Sequence, residues 1–416
     1  MGKIKLLKCV TCNREYLPEE IQYTCAHCGD LLGTLDVIYD YESIKKNFTK
    51  DLLKANKDFS LWRYLPILPV ERTEHIQPLL TGWTPLSRFT QLETKLGLEQ
   101  LWTKDDTRNP TGSLKDRASS IAIVRALEKG HKVVTAASSG NAGCSMAAFA
   151  ACAGMKSYIF VPETVPEAKL VQLIVYGANV ILVRGTYDQA FELCLEVSKR
   201  WGWYSRNTAY NPYLMEGKKT VALEICEQLN WLVPAKVFVP VGDGCIISGV
   251  WNGFSDLHKL GFIDRLPSLV GVQAEGSAPL VRAFQQDRDF VEPITPNTIA
   301  DSISVGNPRD QVKALRAVKE SRGEFISVSD GQIRDAIRML ARETGIFAEP
   351  AGATALAGLI KAIEKDWVNP SDPVVILVTG SGLKDIKAPD IKIGRETLSI
   401  EPSIEDLESK LKSLKN

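Results

Sequence analysis

A single lysine, Lys115, stands in the stretch NPTGSLKDR (residues 109–117), directly behind a Pro–Thr–Gly–Ser turn and ahead of an apolar run. Asn109, Pro110 and Gly112 force a turn there. Ser113 with Asp116 fits the S-x-x-[DE] signature of a helix start. Lys115 is thereby expected on the first turn of a helix, where the positive end of the dipole disfavours an ammonium and lowers its pKa. An amine so held and so tuned suits Schiff-base chemistry. The plain alternative is a solvated lysine at a helix end.

Two more turns carry polar groups of the same kind. Ser138-Ser139-Gly140-Asn141 ends a β-rich run and opens a helix of small residues. Its N–H groups and hydroxyls make an anion site, and the Asn141 amide can hydrogen-bond a phenolic oxygen. Gly242-Asp243-Gly244-Cys245-Ile246 likewise joins a β-run to a helix and can cradle a phosphate on main-chain donors. Its G-x-G-x4-G spacing is neither the dinucleotide fingerprint nor a Walker loop. Simple capping and a glycine-rich β–α turn are the bland readings of these two turns.

A fourth constellation lies near the N-terminus: Cys9-x2-Cys12, twelve residues, then Cys25-x2-Cys28. Two such knuckles supply four thiolates in a tetrahedron, which suits a closed, structural zinc site. Gly29 suits the tight turn of a knuckle, and His27 between two ligands is expected to face solvent. The other five cysteines, Cys144, Cys152, Cys194, Cys226 and Cys245, read as reduced core filling.

The elements that position these groups alternate from about residue 100. Strands are expected at 101–106, 132–138, 156–162, 179–185, 236–242, 269–276 and 374–380. Helices are expected at 114–129, 141–153, 187–200, 214–229, 246–260, 331–344 and 351–365, the last started by Glu349-Pro350-Ala351-Gly352. Such alternation argues an α/β protein with largely parallel sheets and active groups at strand C-termini. The strands are too many for one compact sheet, so two domains with a cleft are expected. At the C-terminus, Ser403 is the expected N-cap of a helix whose Ile404, Leu407, Leu411 and Leu414 pack on the body or on a partner.

At 416 residues the chain has room for two or three domains, and its formal charge is zero. That balance excludes the basic field of a nucleic-acid binder. No window reaches the length of a membrane span, and no secretory signal is read. A cytoplasmic, globular protein is expected.

NPTGSLKDR, SSGNAG, VGDGCIISG, GIFAEPAGAT and TGSGLKD together resemble the fold type II pyridoxal-phosphate enzymes. Within these, the cysteine knuckles, WRYLPILP, GWTPL and NPYLMEGKKT are most similar to the threonine synthases. The resemblance implies a tryptophan synthase β-like fold. A zinc-ribbon-like segment spans 1–38, a large cofactor-binding domain 39–106 and 213–416, and a small domain 107–212. It implies that Lys115 carries the coenzyme and shuttles protons. Asn141, Gly242, Asp243, Gly244, Cys245, Ile246 and Thr379 would hold the coenzyme, and Ser138, Ser139 and Gly140 the amino-acid substrate. O-phosphohomoserine and water would give threonine and phosphate, in a homodimer. Three departures stand out: Leu214 occupies the place of a phosphate-gripping arginine, Ser381 that of a histidine, and the glycine loop reads GDGCI where the threonine synthases read GNAGN, more like a dehydratase loop. A threonine or serine dehydratase, or another ammonia-lyase, and an inactive zinc-ribbon interaction protein are the alternative readings. Arg206 and Lys218, close in sequence, could compensate for the missing arginine.

Overall fold

The computed structural model describes residues 4–165, 167–391 and 397–413, without the side chains at 168, 412 and 413. In chain order the strands are β1 (Ile4–Cys9), β2 (Glu15–Tyr16), β3 (Leu35–Tyr39), β4 (Leu86–Arg88), β5 (Leu101–Asp105), β6 (Val133–Ala137), β7 (Lys156–Pro162), β8 (Asn179–Val183), β9 (Tyr204–Ser205), β10 (Lys236–Pro240), β11 (Ser268–Ala274), β12 (Glu324–Val328) and β13 (Val374–Val378). Valine or isoleucine stiffens β6, β10, β11 and β13 and fills both faces, as buried parallel strands require.

Three sheets form among the described residues. An antiparallel ribbon, β2-β1-β3, carries the cysteine knuckles. A six-stranded sheet runs β12-β11-β10-β13-β5-β4, parallel except where β4 meets β5. A four-stranded parallel sheet runs β8-β7-β6-β9 and falls entirely between residues 107 and 212. Every expected strand is present, and the six-stranded sheet gains two unforeseen ones, β4 (LSR) and β12 (EFISV).

The helices that bear on the site are α1 (Lys115–Glu128), α2 (Asn141–Cys152), α3 (Tyr213–Lys218), α4 (Cys245–Lys259) and α5 (Pro350–Ile363). The expected helix 214–229 runs as two adjoining segments, α3 and Thr220–Gln228. Gly217 lets α3 lie against α1, since a Cβ there would meet the Arg117 carbonyl at 1.9 Å. Beneath α1 the buried Arg117 donates to Asp106 at 2.8 Å and grips Glu224, which also takes Lys104 at 2.6 Å. This network fixes the first turn of α1 to the large sheet.

Three expectations are corrected. Ser113 does not cap α1: Leu114 holds the cap position without a side-chain bond, and the Ser113 hydroxyl is buried without a partner. Asp116 turns back instead and accepts from the Thr111 N–H at 2.6 Å and hydroxyl at 2.5 Å, bracing the turn before Lys115. Cys152 is exposed rather than core-filling, whereas Cys144, Cys194, Cys226 and Cys245 are buried. The helix Ile404–Ser413 forms and Ser403 caps it, but Ile404, Leu407 and Leu411 face outward, which leaves packing on a partner as the remaining half of that expectation. Leu414 lies outside the described residues.

Candidate active site

The expected turns converge because each follows the C-terminal end of a parallel strand: β5 leads to Lys115, β6 to Ser138 and β10 to Gly242. Between the two larger sheets they enclose a cavity of about 690 Å³, enough for a coenzyme and an amino acid together. Lys115, Ser138, Ser139, Gly140, Asn141, Gly242, Asp243, Gly244, Cys245 and Ile246 all border it. Thr379 directly follows β13, and its carbonyl accepts from the N–H of Leu114, the residue before Lys115, at 2.9 Å.

Lys115 begins α1, as the turn predicts. Burial, then the positive charges of Lys218 and Arg206, brings its ammonium down to about 8. About a tenth is therefore the free amine at pH 7, far more than for an ordinary lysine, and this is the form that attacks a carbonyl. Arg206 and Lys218 are fully buried and border the same cavity. Leu214, one turn before Lys218 on α3, packs instead in an apolar cluster with Ala118, Met146 and Phe149.

Asn141 opens α2 and sits in a network that the sequence did not reveal. Its amide donates to the buried Glu349 at 2.7 Å and to Ser302 at 3.1 Å, and its oxygen accepts from Lys384 at 2.7 Å. Burial raises the Glu349 carboxyl. Glu349 was legible only as a helix start, because Asn141 lies 208 residues away. Pro350 after it occupies the first turn of α5, as read.

The loop 242–246 suits a phosphate. Gly244 has φ +95°, and a Cβ there would lie 2.7 Å from the Ala314 Cβ. A Cβ on Gly242 would lie 2.9 Å from the Ile303 Cα. The loop is therefore held tight, with the free N–H groups of the first turn of α4 beside the cavity.

In the ribbon, the sulfurs of Cys9, Cys12, Cys25 and Cys28 all lie within 4.8 Å of one another. A tetrahedral zinc–thiolate site has sulfurs about 3.8 Å apart, and Cys12 and Cys25 stand at 3.7 Å. The Tyr16 hydroxyl is 3.0 Å from the Cys25 sulfur, and His27 is exposed as read.

Residues 78–380 match the family described as "Pyridoxal-phosphate dependent enzyme". The threonine synthase of Methanocaldococcus jannaschii is 42% identical over 98% of this chain and 100% of its own length. That of Methanosarcina acetivorans is 39% identical over 91% and 92%. Among solved structures, a threonine deaminase of T.th. superposes with a TM-score of 0.62 at 26% identity, covering 72% of this chain and 92% of that one. Serine racemase from Dictyostelium discoideum gives 0.62 at 25%, with the same coverage of 72% and 92%.

Proposed function

Because the chain belongs to the pyridoxal-phosphate dependent enzymes, and within them to the threonine synthases, we infer that it converts O-phosphohomoserine and water to threonine and phosphate. The carrying observation is likeness to threonine synthases along nearly the whole chain, joined to an amine of lowered pKa in a cavity sized for coenzyme and substrate.

Pyridoxal phosphate, when bound, supplies an electron sink that acidifies the substrate's Cα and then its Cβ. We assign Lys115 to hold the coenzyme and to move protons at those two carbons. Gly242, Asp243, Gly244, Cys245 and Ile246 would take the coenzyme phosphate on main-chain donors. Asn141 would place its amide against the ring oxygen. Ser138, Ser139 and Gly140 would receive the substrate carboxylate at the start of α2. Loss of phosphate from Cγ and addition of water at Cβ complete the exchange, with Lys115 returning the protons it took.

Four thiolates at these separations favour a structural zinc in the ribbon, with no open position for catalysis. The molecule is proposed to work in the cytoplasm as a homodimer, which sedimentation of the pure protein checks. No helix among the described residues is long and apolar enough to cross a membrane.

Incubation with O-phosphohomoserine, and separately with threonine, tests the activity. Phosphate released with threonine formed is the expected result. Formation of 2-oxobutanoate from threonine, with no phosphate released from the other compound, would point instead to the deaminase chemistry of the structural neighbours.

A further inference from the structure

Buried cations in this fold are otherwise matched with carboxylates. Arg63 pairs with Glu227, Lys104 and Arg117 with Glu224, Arg125 with Glu128, Lys219 with Glu216 and Asp256, and Lys313 with Asp36. Arg206 and Lys218 are as deeply buried, each 1% exposed, yet neither forms an ion pair among the described residues. The contrast is sharpest along the chain, where Lys218 lacks a carboxylate partner and the adjacent Lys219 has two.

Arg206 reaches only hydroxyls: its Nε meets Ser119 Oγ at 3.3 Å and its Nη1 meets Thr208 Oγ1 at 3.3 Å. Its Nη2 is buried with no hydrogen-bond partner. Both residues border the cavity with Lys115, and Thr208 borders it too. Burial lowers the pKa of both, and the Arg206 charge presses Lys218 down further, while Asp310 and Asp243 near Lys218 and Asp116 near Arg206 offset this only in part and stand beyond ion-pair distance. A desolvated, unpaired cation is strongly unfavourable, so two on one cavity wall imply an anion that neutralises them.

We propose that Arg206 and Lys218, with the Thr208 hydroxyl, form the receptor for the phosphate group of the substrate, an inference that rests on the threonine synthase reading. The coenzyme phosphate has its own donors at the loop 242–246 and the start of α4, so the pair is left for a second phosphate. Leu214 lies one turn before Lys218 on the same face of α3, so the cation missing at 214 is supplied one turn later. An arginine fork and a lysine point charge together suit a dianion better than either alone. They also stabilise the phosphate as it leaves.

The test uses holoenzyme carrying Arg206→Met or Lys218→Met, with inorganic phosphate as the probe. Each variant is expected to raise KM for O-phosphohomoserine at least about 30-fold and to weaken competitive inhibition by phosphate equally. Coenzyme occupancy, read by absorbance, stays at the native level. Thermal unfolding stays level or shifts upward, since an unpaired buried charge has been removed. Native KM and native phosphate inhibition in both variants would overturn the proposal. Lost coenzyme with unchanged phosphate inhibition would also overturn it, assigning the pair to the coenzyme phosphate. Should native protein fail to convert O-phosphohomoserine, the substrate reading falls by itself. Calorimetric titration with phosphate, native against variant, would then decide separately whether the pair binds a phosphate dianion, and equal heats would overturn that as well.

Discussion

The role proposed for Lys115 depends on its protonation state, and that state is set by its neighbours. Burial and the Lys218 and Arg206 charges hold its ammonium at about 8. Below that pH the amine is protonated and unreactive; above it the nucleophile is free. Coenzyme capture by the unloaded protein should therefore quicken as pH rises from about 6 to about 9 and level off above. Stopped-flow absorbance would show this, and in Lys218→Met the midpoint should move upward because a repelling charge is gone. Lys115→Ala should cut kcat by about 1,000-fold or more, and borohydride should leave no coenzyme tag on the chain. A tag on another lysine would remove the basis of the assignment.

Single residues work here only because elements end in the right places. The turn before α1 is held by Asp116 folding back on Thr111, and α1 itself by Arg117 clamped between Asp106 and Glu224. Burial alone would raise the Glu224 carboxyl, but Arg117 and Lys104 outweigh it and hold the group at about 2. A carboxyl so depressed contributes stability above its unfolded pKa, and that contribution is lost as pH falls towards 2. Glu224→Gln leaves two buried cations with one charge fewer and should cost about 3–5 kcal/mol, visible as a lower urea midpoint at neutral pH. In the loop 242–246, proposed to hold the coenzyme phosphate, Gly244→Ala forces a Cβ into a left-handed position 2.7 Å from the Ala314 Cβ. Coenzyme affinity should drop about tenfold or more, measured by equilibrium dialysis. Affinity equal to the native protein's would mean that the loop does not hold the coenzyme.

Across the whole molecule the ribbon acts as a strap between the two larger sheets. Tyr23 stacks on Tyr210 at 4.6 Å and its hydroxyl accepts from the Ser205 N–H at 2.9 Å, beside Arg206. Asp36 pairs with Arg316 at 2.7 Å, and the Leu35 carbonyl accepts from Lys313 at 2.7 Å on the other side. Cys25→Ser, or treatment with a strong chelator, should release zinc and lower the melting temperature by several degrees, because metal binding there is folding energy. It should also weaken substrate binding before coenzyme binding, since the strap touches the strand that leads into Arg206. A protein without zinc that melts as the native one does would remove the strap's role. The chain alone determined the alternation of strand and helix, the three turns and the cysteine knuckles, because backbone stiffness, capping and ligand spacing are local properties. It could not show that Asp116 would brace Thr111 instead of a helix start, or that Glu349 would reach Asn141. The first is a local contest between two hydrogen bonds for one carboxylate, whereas the second depends on how segments 208 residues apart pack. Packing also left Arg206 and Lys218 buried on the cavity wall with no carboxylate among the described residues at ion-pair distance.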